Sequence, residues 1–313
     1  MTADKATDTA TDGAMDRAIG VNTAFAVRHV QAVGALLGEG PLWHDGALWF
    51  VDIKRAHVHR LVPGGALETW QAPAQVGWVQ PVAGGTMLAG LQTGLHRFDP
   101  RTGAFEPVLA VEPDRPGNRL NDSCVDPAGR LWFGSMDDGE SAPSGRIYRA
   151  DARGVIPVID GIAITNGPAV SPDGRTLYHC DTLAGTVHVC ALDEAGAIVG
   201  SRVFVQVDVE EHGHPDGPIV DAEGHVWVAF YGGWCVRRYA PDGRQVAEVR
   251  LPVGAVTKIA IGGPDGRTAY VTTAAKGLSG AQRADQPQAG DLFAFDAGVA
   301  GQVAHAITTL PPS

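Results

Sequence analysis

The stretch GEGPLWHDGALWFVDI at residues 38–53 contains two elements that recur along this 313-residue chain. The first element is Glu39-Gly40-Pro41, and matching triplets stand at Asn166-Gly167-Pro168 and Asp216-Gly217-Pro218. The second element is a turn at Gly46, which is followed by an aromatic-rich apolar run. In all three copies the leading carboxylate or carboxamide lies seven or eight positions before the turn glycine. A shared position in three repeats predicts that these side chains meet in space.

The turn-plus-strand element occurs six times, at intervals of 39 to 50 residues, with turn glycines at Gly46, Gly85, Gly129, Gly174, Gly224 and Gly266. This interval is typical of propeller blades, each of which is a four-stranded antiparallel unit. A short segment after each turn alternates apolar and polar residues, as a half-buried strand does. No long stretch keeps a helical period. The pattern predicts an all-β fold, a six-bladed β-propeller with four antiparallel strands per blade.

The six repeats also predict the domain organisation. Residues 1–22 are rich in Ala, Thr and Asp, and we expect them to form a disordered N-terminal tail. We expect residues 23–313 to form a single six-bladed β-propeller domain. The segment GDLFAFD at residues 290–296 is expected to share a blade with the strand near residues 25–33 and so to close the ring.

Composition narrows the class of partner. The net charge is −11, which argues against nucleic acid and anionic membranes because there is no basic surface to attract phosphates. The sequence has no apolar run long enough to span a membrane and no apolar leader at residues 1–20, so we expect a cytoplasmic protein. We expect a monomer or a weak homo-oligomer. The four cysteines lack CxxC spacing and read as buried thiols, with a Cys180–Cys190 disulfide as the less favoured alternative.

One repeat position is polar in five of its six copies, Glu39, Gly77, Asn121, Asn166, Asp216 and Lys258. In a propeller the innermost strand of each blade lines the central channel, so these positions should converge there. Local hydrogen bonding at strand ends is the alternative for any one of them. Five together favour a binding site, because sheltered polar groups are costly unless they bind something. Oxygen ligands without Cys or His suit one hard divalent metal ion, and Ca, Mg, Zn, Mn and Fe(II) all stay open as its identity.

Two further residues fit an oxygen-rich substrate. Arg119 and Asn121 point to the same side if their segment is extended, and together they offer several hydrogen-bond donors. A surface ion pair is the alternative for Arg119. Lys258 could stabilise developing negative charge or pair with a channel carboxylate, and we favour the second.

The sequence resembles the SMP-30/gluconolactonase/LRE family, the regucalcin-like six-bladed propellers. The matching segments are GEGPLWHDGALWFVDI (38–53), RLNDSCVDPAGRLWFGSMD (119–137), TNGPAVSPDGRTLYHCDT (165–182), HPDGPIVDAEGHVWVA (214–229) and VTKIAIGGPDGRTAYVTTA (256–274). The resemblance implies a metal-dependent lactonase that opens sugar-acid lactones. It implies Glu39, Asn166 and Asp216 as metal ligands, with Arg119 and Asn121 as substrate contacts.

The chain departs from the family pattern near the expected site. Ser123 stands where the family usually has a glycine after Asn-Asp, and residues 259–263 replace a usual Ala-Phe-Gly-Gly. A family glutamate that contacts substrate follows a Gly-Thr-Met segment. We assign this role to Glu140, with Asp137 and Asp138 as alternatives. Asp122 and Lys258 complete the predicted substrate-binding set.

The resemblance implies aldono-1,4- and 1,5-lactones as substrates and free aldonic acids as products, with pentonolactones such as xylonolactone or arabinolactone first. We expect the lactone carbonyl to be polarised by the ion while Asp216, the candidate catalytic base, takes a proton from water. Asp122 is the alternative base. No GxSxG elbow is present in the sequence. The alternative functions are a non-catalytic metal-binding regulatory or scaffold propeller, a hydrolase of other esters, and a quinone-dependent sugar dehydrogenase.

Overall fold

Strands make up most of the computed structural model, which describes residues 25–310; the tail predicted at residues 1–22 lies outside the described residues. The first twelve strands are β1 Arg28–Gln31, β2 Gly38–His44, β3 Ala47–Asp52, β4 His57–Leu61, β5 Leu67–Gln71, β6 Val76–Val82, β7 Thr86–Leu91, β8 Gly94–Asp99, β9 Ala104–Leu109, β10 Asn118–Val125, β11 Leu131–Asp137 and β12 Gly145–Asp151. The remaining strands are β13 Gly154–Ile162, β14 Thr165–Val170, β15 Thr176–Asp181, β16 Thr186–Leu192, β17 Ile198–Gln206, β18 His214–Val220, β19 Val226–Tyr231, β20 Cys235–Tyr239, β21 Gln245–Arg250, β22 Val256–Gly262, β23 Thr268–Thr273 and β24 Leu292–Asp296. Two short helices, α1 Val209–His212 and α2 Gly280–Asp285, complete the described elements. No helix in this part of the chain has the length and apolar character that a membrane crossing requires.

Hydrogen bonding groups these strands into five sheets. Four of them have four strands each, in the orders β2-β3-β4-β5, β6-β7-β8-β9, β10-β11-β12-β13 and β14-β15-β16-β17. The fifth has eight strands in the order β1-β24-β23-β22-β18-β19-β20-β21. A parallel pairing of Gly217 with Lys258 joins β18 to β22 within it. The prediction of an all-β, propeller-like fold is confirmed, although the hydrogen-bonded sheets number five rather than the predicted six.

Six strands, which we call the inner strands, lie at the centre of this arrangement: β2, β6, β10, β14, β18 and β22. Each contacts the next in chain order, and β22 contacts β2, so that the contacts form a closed cycle. Most of their residues are buried. The polar positions that recur in the sequence fall in these six strands and are therefore brought near a common axis.

The first and last strands of the described chain pair with each other. β1 runs antiparallel to β24, with Arg28 opposite Ala294 and His29 opposite Phe293. A His29 ring nitrogen lies 2.9 Å from an Asp291 carboxylate oxygen and adds a side-chain contact beside this pairing. The predicted pairing of residues 290–296 with the strand near residues 25–33 is confirmed.

An Asp–Trp contact stabilises two of the six turns. The indole Nε1 of Trp132 donates to Asp126 Oδ2 at 2.9 Å, and that of Trp227 donates to Asp221 Oδ2 at 2.9 Å. The other oxygen of each aspartate accepts turn backbone N–H groups. Both aspartates and both tryptophans are fully buried. Each aspartate thus satisfies buried donors of its turn and of the following strand, which an apolar residue could not do.

All four cysteines are free thiols, as the spacing predicts; Cys180, Cys190 and Cys235 are buried as expected, whereas Cys124 is half-buried. Cys180 on β15 lies opposite Val187, whereas Cys190 on β16 lies opposite Leu177. The two thiols therefore occupy different rungs of the ladder, and the Cys180–Cys190 disulfide is not formed.

Candidate functional site

A cavity of about 350 Å³ lies where the inner strands begin. Six of the eight predicted site residues line it: Glu39, Arg119, Asn121, Glu140, Asn166 and Asp216. The two that do not are Asp122 and Lys258, and Lys258 instead borders a second cavity of about 140 Å³. The structure therefore places the three predicted metal ligands and three predicted substrate contacts on one surface, with two charged residues behind them.

The pairing register is irregular in all six inner strands, and in three of them the irregularity coincides with a Gly-Pro triplet. The pairing register shifts between Glu39 and Leu42 in β2, between Asn166 and Ala169 in β14, and between Pro215 and Pro218 in β18. Proline, which has no N–H for the ladder, is tolerated at such a bulge, and a bulge re-aims the neighbouring side chain. The bulges explain why the residue before each Gly-Pro turns toward the cavity.

Two buried carboxylates dominate the electrostatics of the cavity. Glu39 Oε2 accepts the N–H of Gly40 at 2.8 Å, and Asp216 Oδ1 accepts the N–H of Gly217 at 2.8 Å. Burial, and then repulsion from Asp122, raises the pKa of Glu39 to about 7. Burial, followed by repulsion from Glu39, raises the pKa of Asp216 well above its usual range. Burial and repulsion from neighbouring carboxylates therefore disfavour the ionised form of both side chains.

Asp122 and Lys258 form a buried ion pair behind the cavity. Lys258 Nζ donates to Asp122 Oδ1, and the two residues are only 4% and 2% exposed. Burial alone would lower the pKa of Lys258, but the neighbouring Asp122 outweighs it and raises that pKa. Asp122 also accepts the backbone N–H of Gly167 at 2.9 Å and that of Ser123 at 2.8 Å. Both carboxylate oxygens of Asp122 therefore accept hydrogen bonds from the protein itself.

A chain of hydrogen bonds fixes the amide side chains. Arg119 Nη1 donates to Asn121 Oδ1 at 2.6 Å, and Asn121 Nδ2 donates to Asn166 Oδ1 at 2.8 Å. Asn166 Nδ2 in turn donates to Thr182 Oγ1 at 2.8 Å. Arg119 is anchored from behind, because its Nε donates to Asp138 Oδ1 at 2.9 Å. These hydrogen bonds fix the orientation of the Asn121 and Asn166 amide groups, including the direction in which each amide oxygen points.

Sequence reasoning missed four polar cavity residues, His214, Thr182, Tyr231 and Lys276. His214 stands two positions before Asp216 on β18, and this period-2 spacing was a usable signal because it places both on one side of a strand. Lys276 lies in a loop after β23 and forms an ion pair with Glu140. Loop residues of this kind carry no repeat signal.

The structure also accounts for two exceptions in the sequence pattern. At Gly77, the one apolar member of the repeat position, an added Cβ would lie 2.5 Å from the backbone oxygen of Asn121. Glycine is thus required by close packing of adjacent inner strands. Ser123 replaces a usual family glycine, but it is not among the described residues with positive φ, so its backbone needs no glycine.

The donor set has a hard-cation character. Two carboxylates and one carboxamide, from Glu39, Asp216 and Asn166, line the same cavity. Across residues 25–310 no three His, Cys, Asp or Glu side chains cluster as ready-made metal ligands. An ion bound here would therefore use the amide oxygen of Asn166 beside the two carboxylates.

These features define a propeller-like protein with a cavity, at the start of its inner strands, that is lined by carboxylate and amide side chains. The profile of the "SMP-30/Gluconolactonase/LRE-like region" matches residues 37–275, and the chain belongs to this family.

Named relatives and a solved structure agree with this family. The chain is 38% identical to an L-arabinolactonase of Azospirillum brasilense, over 82% of this chain and 87% of that protein. It is 33% identical to a pentonolactonase of Haloferax volcanii, over 89% of this chain and 97% of that protein. A crystal structure of a calcium-binding protein, regucalcin, from Agrobacterium tumefaciens superposes with a TM-score of 0.86 at 31% identity, covering 90% of this chain and 97% of that one.

Proposed function

We propose that this protein hydrolyses sugar-acid lactones to free aldonic acids with the help of one divalent cation. The observation that carries the proposal is the convergence of Glu39, Asn166 and Asp216 on one cavity beside Arg119. Similarity to relatives named as an arabinolactonase and a pentonolactonase supports lactones as the substrate class. Among lactones, we propose pentonolactones first.

The residues present fit a divalent cation. Glu39 and Asp216 are buried side by side, and repulsion between them contributes to the raised pKa of Asp216. A cation held by these carboxylates and by the amide oxygen of Asn166 would offset that repulsion, because opposite charge nearby favours the ionised carboxylate. When bound, such an ion supplies a Lewis acid for the lactone carbonyl and lowers the pKa of water.

We assign the base, the hydroxyl donor and the positioning role to side chains at the cavity. Asp216 is the proposed base for the attacking water, since it lines the cavity while the alternative, Asp122, is paired with Lys258 behind it. Arg119 is the proposed hydroxyl donor, since its Nη2 has no protein acceptor among residues 25–310. Both polar groups of Asn121 are already engaged in protein hydrogen bonds. We therefore assign Asn121 to holding Arg119 and Asn166 in place.

We also infer that the described chain is one six-bladed domain with the cation site on its axis. The closed cycle of contacts among six inner strands supports six blades. The eight-stranded sheet then counts as two blades, β18-β19-β20-β21 and β22-β23-β24-β1, joined at the Gly217–Lys258 pairing. Adjacent inner strands at an axis approach closely enough for such a contact.

The test is acid release from a panel of aldonolactones, with spontaneous hydrolysis subtracted. The protein is first stripped with a chelator and then supplied with Ca, Mg, Mn, Zn or Fe(II) singly. We expect turnover that depends on the ion, with pentonolactones hydrolysed fastest. Stoichiometric ion binding without turnover on any lactone would contradict the proposal and support a metal-binding regulatory protein instead.

A further inference from the structure

An ion pair spans two loops at the cavity. Glu140 belongs to the loop between β11 and β12, and Lys276 belongs to the loop between β23 and α2. Lys276 Nζ donates to Glu140 Oε1, and both residues line the cavity that holds Arg119 and Asp216. The side chain of Glu140 is 38% exposed and that of Lys276 is 32% exposed, whereas that of Arg119 is 2% exposed. The pair is therefore partly open to solvent, whereas Arg119 is not.

The backbones on both sides of this pair are held firmly. The Lys276 N–H donates to the Leu36 carbonyl at 2.8 Å, and the Tyr231 hydroxyl donates to the Lys276 carbonyl at 3.4 Å. Glu140 has a φ of 58°, a left-handed conformation that costs a non-glycine residue about 1 kcal/mol or more. Such strain persists only where surrounding contacts enforce it, and it is concentrated at functional positions.

The contacts that enforce this conformation come from one aspartate. Asp137 accepts the backbone N–H groups of Ser141 at 3.1 Å and Ala142 at 2.9 Å, and its carbonyl accepts that of Glu140 at 3.0 Å. The loop is thus folded around Asp137 in a way that presents Glu140 to the cavity. Lys276 meets it from a loop 136 residues away in sequence.

We propose that Lys276, together with Glu140, is a specificity-determining residue that binds one hydroxyl of the lactone. A sugar hydroxyl donates one hydrogen bond and accepts others, and the pair offers an ammonium donor beside a carboxylate acceptor. A partly exposed ion pair contributes only about 0–1 kcal/mol, so exchanging part of it for a hydroxyl costs little. A lactone without that hydroxyl leaves the pair as it is and gains nothing from it. The inference rests on the proposed lactonase function.

The test compares the holoenzyme and its Lys276→Met variant on a pentonolactone and on the analogues that each lack one hydroxyl. For one hydroxyl, we expect removal to lower kcat/KM of the unsubstituted enzyme by about tenfold or more, as for a hydrogen bond to a charged group. In Lys276→Met the same removal should change kcat/KM less than about twofold. The variant's own loss on the full pentonolactone should lie mainly in KM, because binding of this kind acts equally on ground and transition states.

Two controls separate this inference from structural damage. Arg60→Met removes the cation of the Arg60–Glu68 pair on β4 and β5, outside the cavity, and should leave every ratio unchanged. Glu140→Gln should lose selectivity for the same hydroxyl, and the double variant should lose little more. Equal deoxy penalties in the unsubstituted enzyme and in Lys276→Met would overturn the inference and leave the lactonase function standing. Failure of the unsubstituted enzyme on every lactone would overturn both.

Discussion

Asn121 Nδ2 donates to Asn166 Oδ1 at 2.8 Å, so a residue on β10 orients a proposed cation ligand on β14. Outer partners of metal ligands typically contribute 10–100-fold to metal affinity. We therefore expect Asn121→Ala to raise the Kd for the activating cation by about that factor. Calorimetric titration of the chelator-stripped protein measures it. Gln245→Ala on the outer strand β21 is the control, and equal Kd values for all three proteins would contradict the orienting role.

Asp216→Asn keeps the size of the side chain but removes the proposed base. General bases typically contribute 10²–10⁴-fold, and we expect kcat on the preferred lactone to fall by about this range. Steady-state kinetics at saturating cation separates this loss from weaker ion binding. Glu194→Gln is a matched change at an exposed position far from the cavity. An Asp216→Asn variant with full turnover would exclude Asp216 as the base.

Lys258→Met leaves Asp122 as a buried carboxylate without its ammonium partner. Removing one member of a buried ion pair typically costs 3–5 kcal/mol, and we expect a loss of about that size in the free energy of unfolding. Urea denaturation in the presence of chelator measures it without contributions from bound cation. The double variant with Asp122→Asn should recover much of the loss. A single variant as stable as the unsubstituted protein would contradict a stabilising role for the Asp122–Lys258 pair.

The stability of the protein should fall as the pH drops below about 6.5, in part because of His179. Burial lowers the pKa of His179 to about 3, and its ring stacks on His188 with centroids 4.8 Å apart. The unfolded chain then binds a proton that the folded chain excludes, so the stabilisation is complete above the unfolded pKa and is lost as the pH falls toward 3. At pH 5 the loss is about 2 kcal/mol.

His179→Phe keeps the aromatic ring on β15 and removes the titrating group. We expect its unfolding free energy to vary less between pH 7.5 and pH 5 than that of the unsubstituted protein, by about the same 2 kcal/mol. Urea unfolding at the two pH values measures the difference. A pH dependence unchanged by the substitution would assign the acid sensitivity to other groups, such as His59, whose pKa burial lowers to about 4.

The repeat period predicted the strands and their arrangement, because the same turn and the same apolar strand recur along the chain, in two copies with the same Asp–Trp contact. The repeat position likewise predicted that Glu39, Asn166 and Asp216 approach a common axis. The repeat position could not show that Lys258 borders the second cavity. Lys258 shares the repeat position with the other residues and differs only in the direction of its side chain. Nor could the repeat position find Lys276, since a loop residue acquires its partner only when the ring is assembled. Periodicity determines strands and faces, whereas loop contacts depend on three-dimensional closure.

The pairing of β1 with β24 has a consequence for synthesis of the protein. Residues 28–31 leave the ribosome early, but their strand partner at residues 292–296 emerges only after the other described strands. Until then the nascent chain carries an unpaired N-terminal strand and an open β23 edge, and such edges invite pairing with other chains. Bringing the two together also closes a very long loop, which slows folding. Pairing of β1 with β24 is therefore a late step among the described strands and one that is exposed to aggregation.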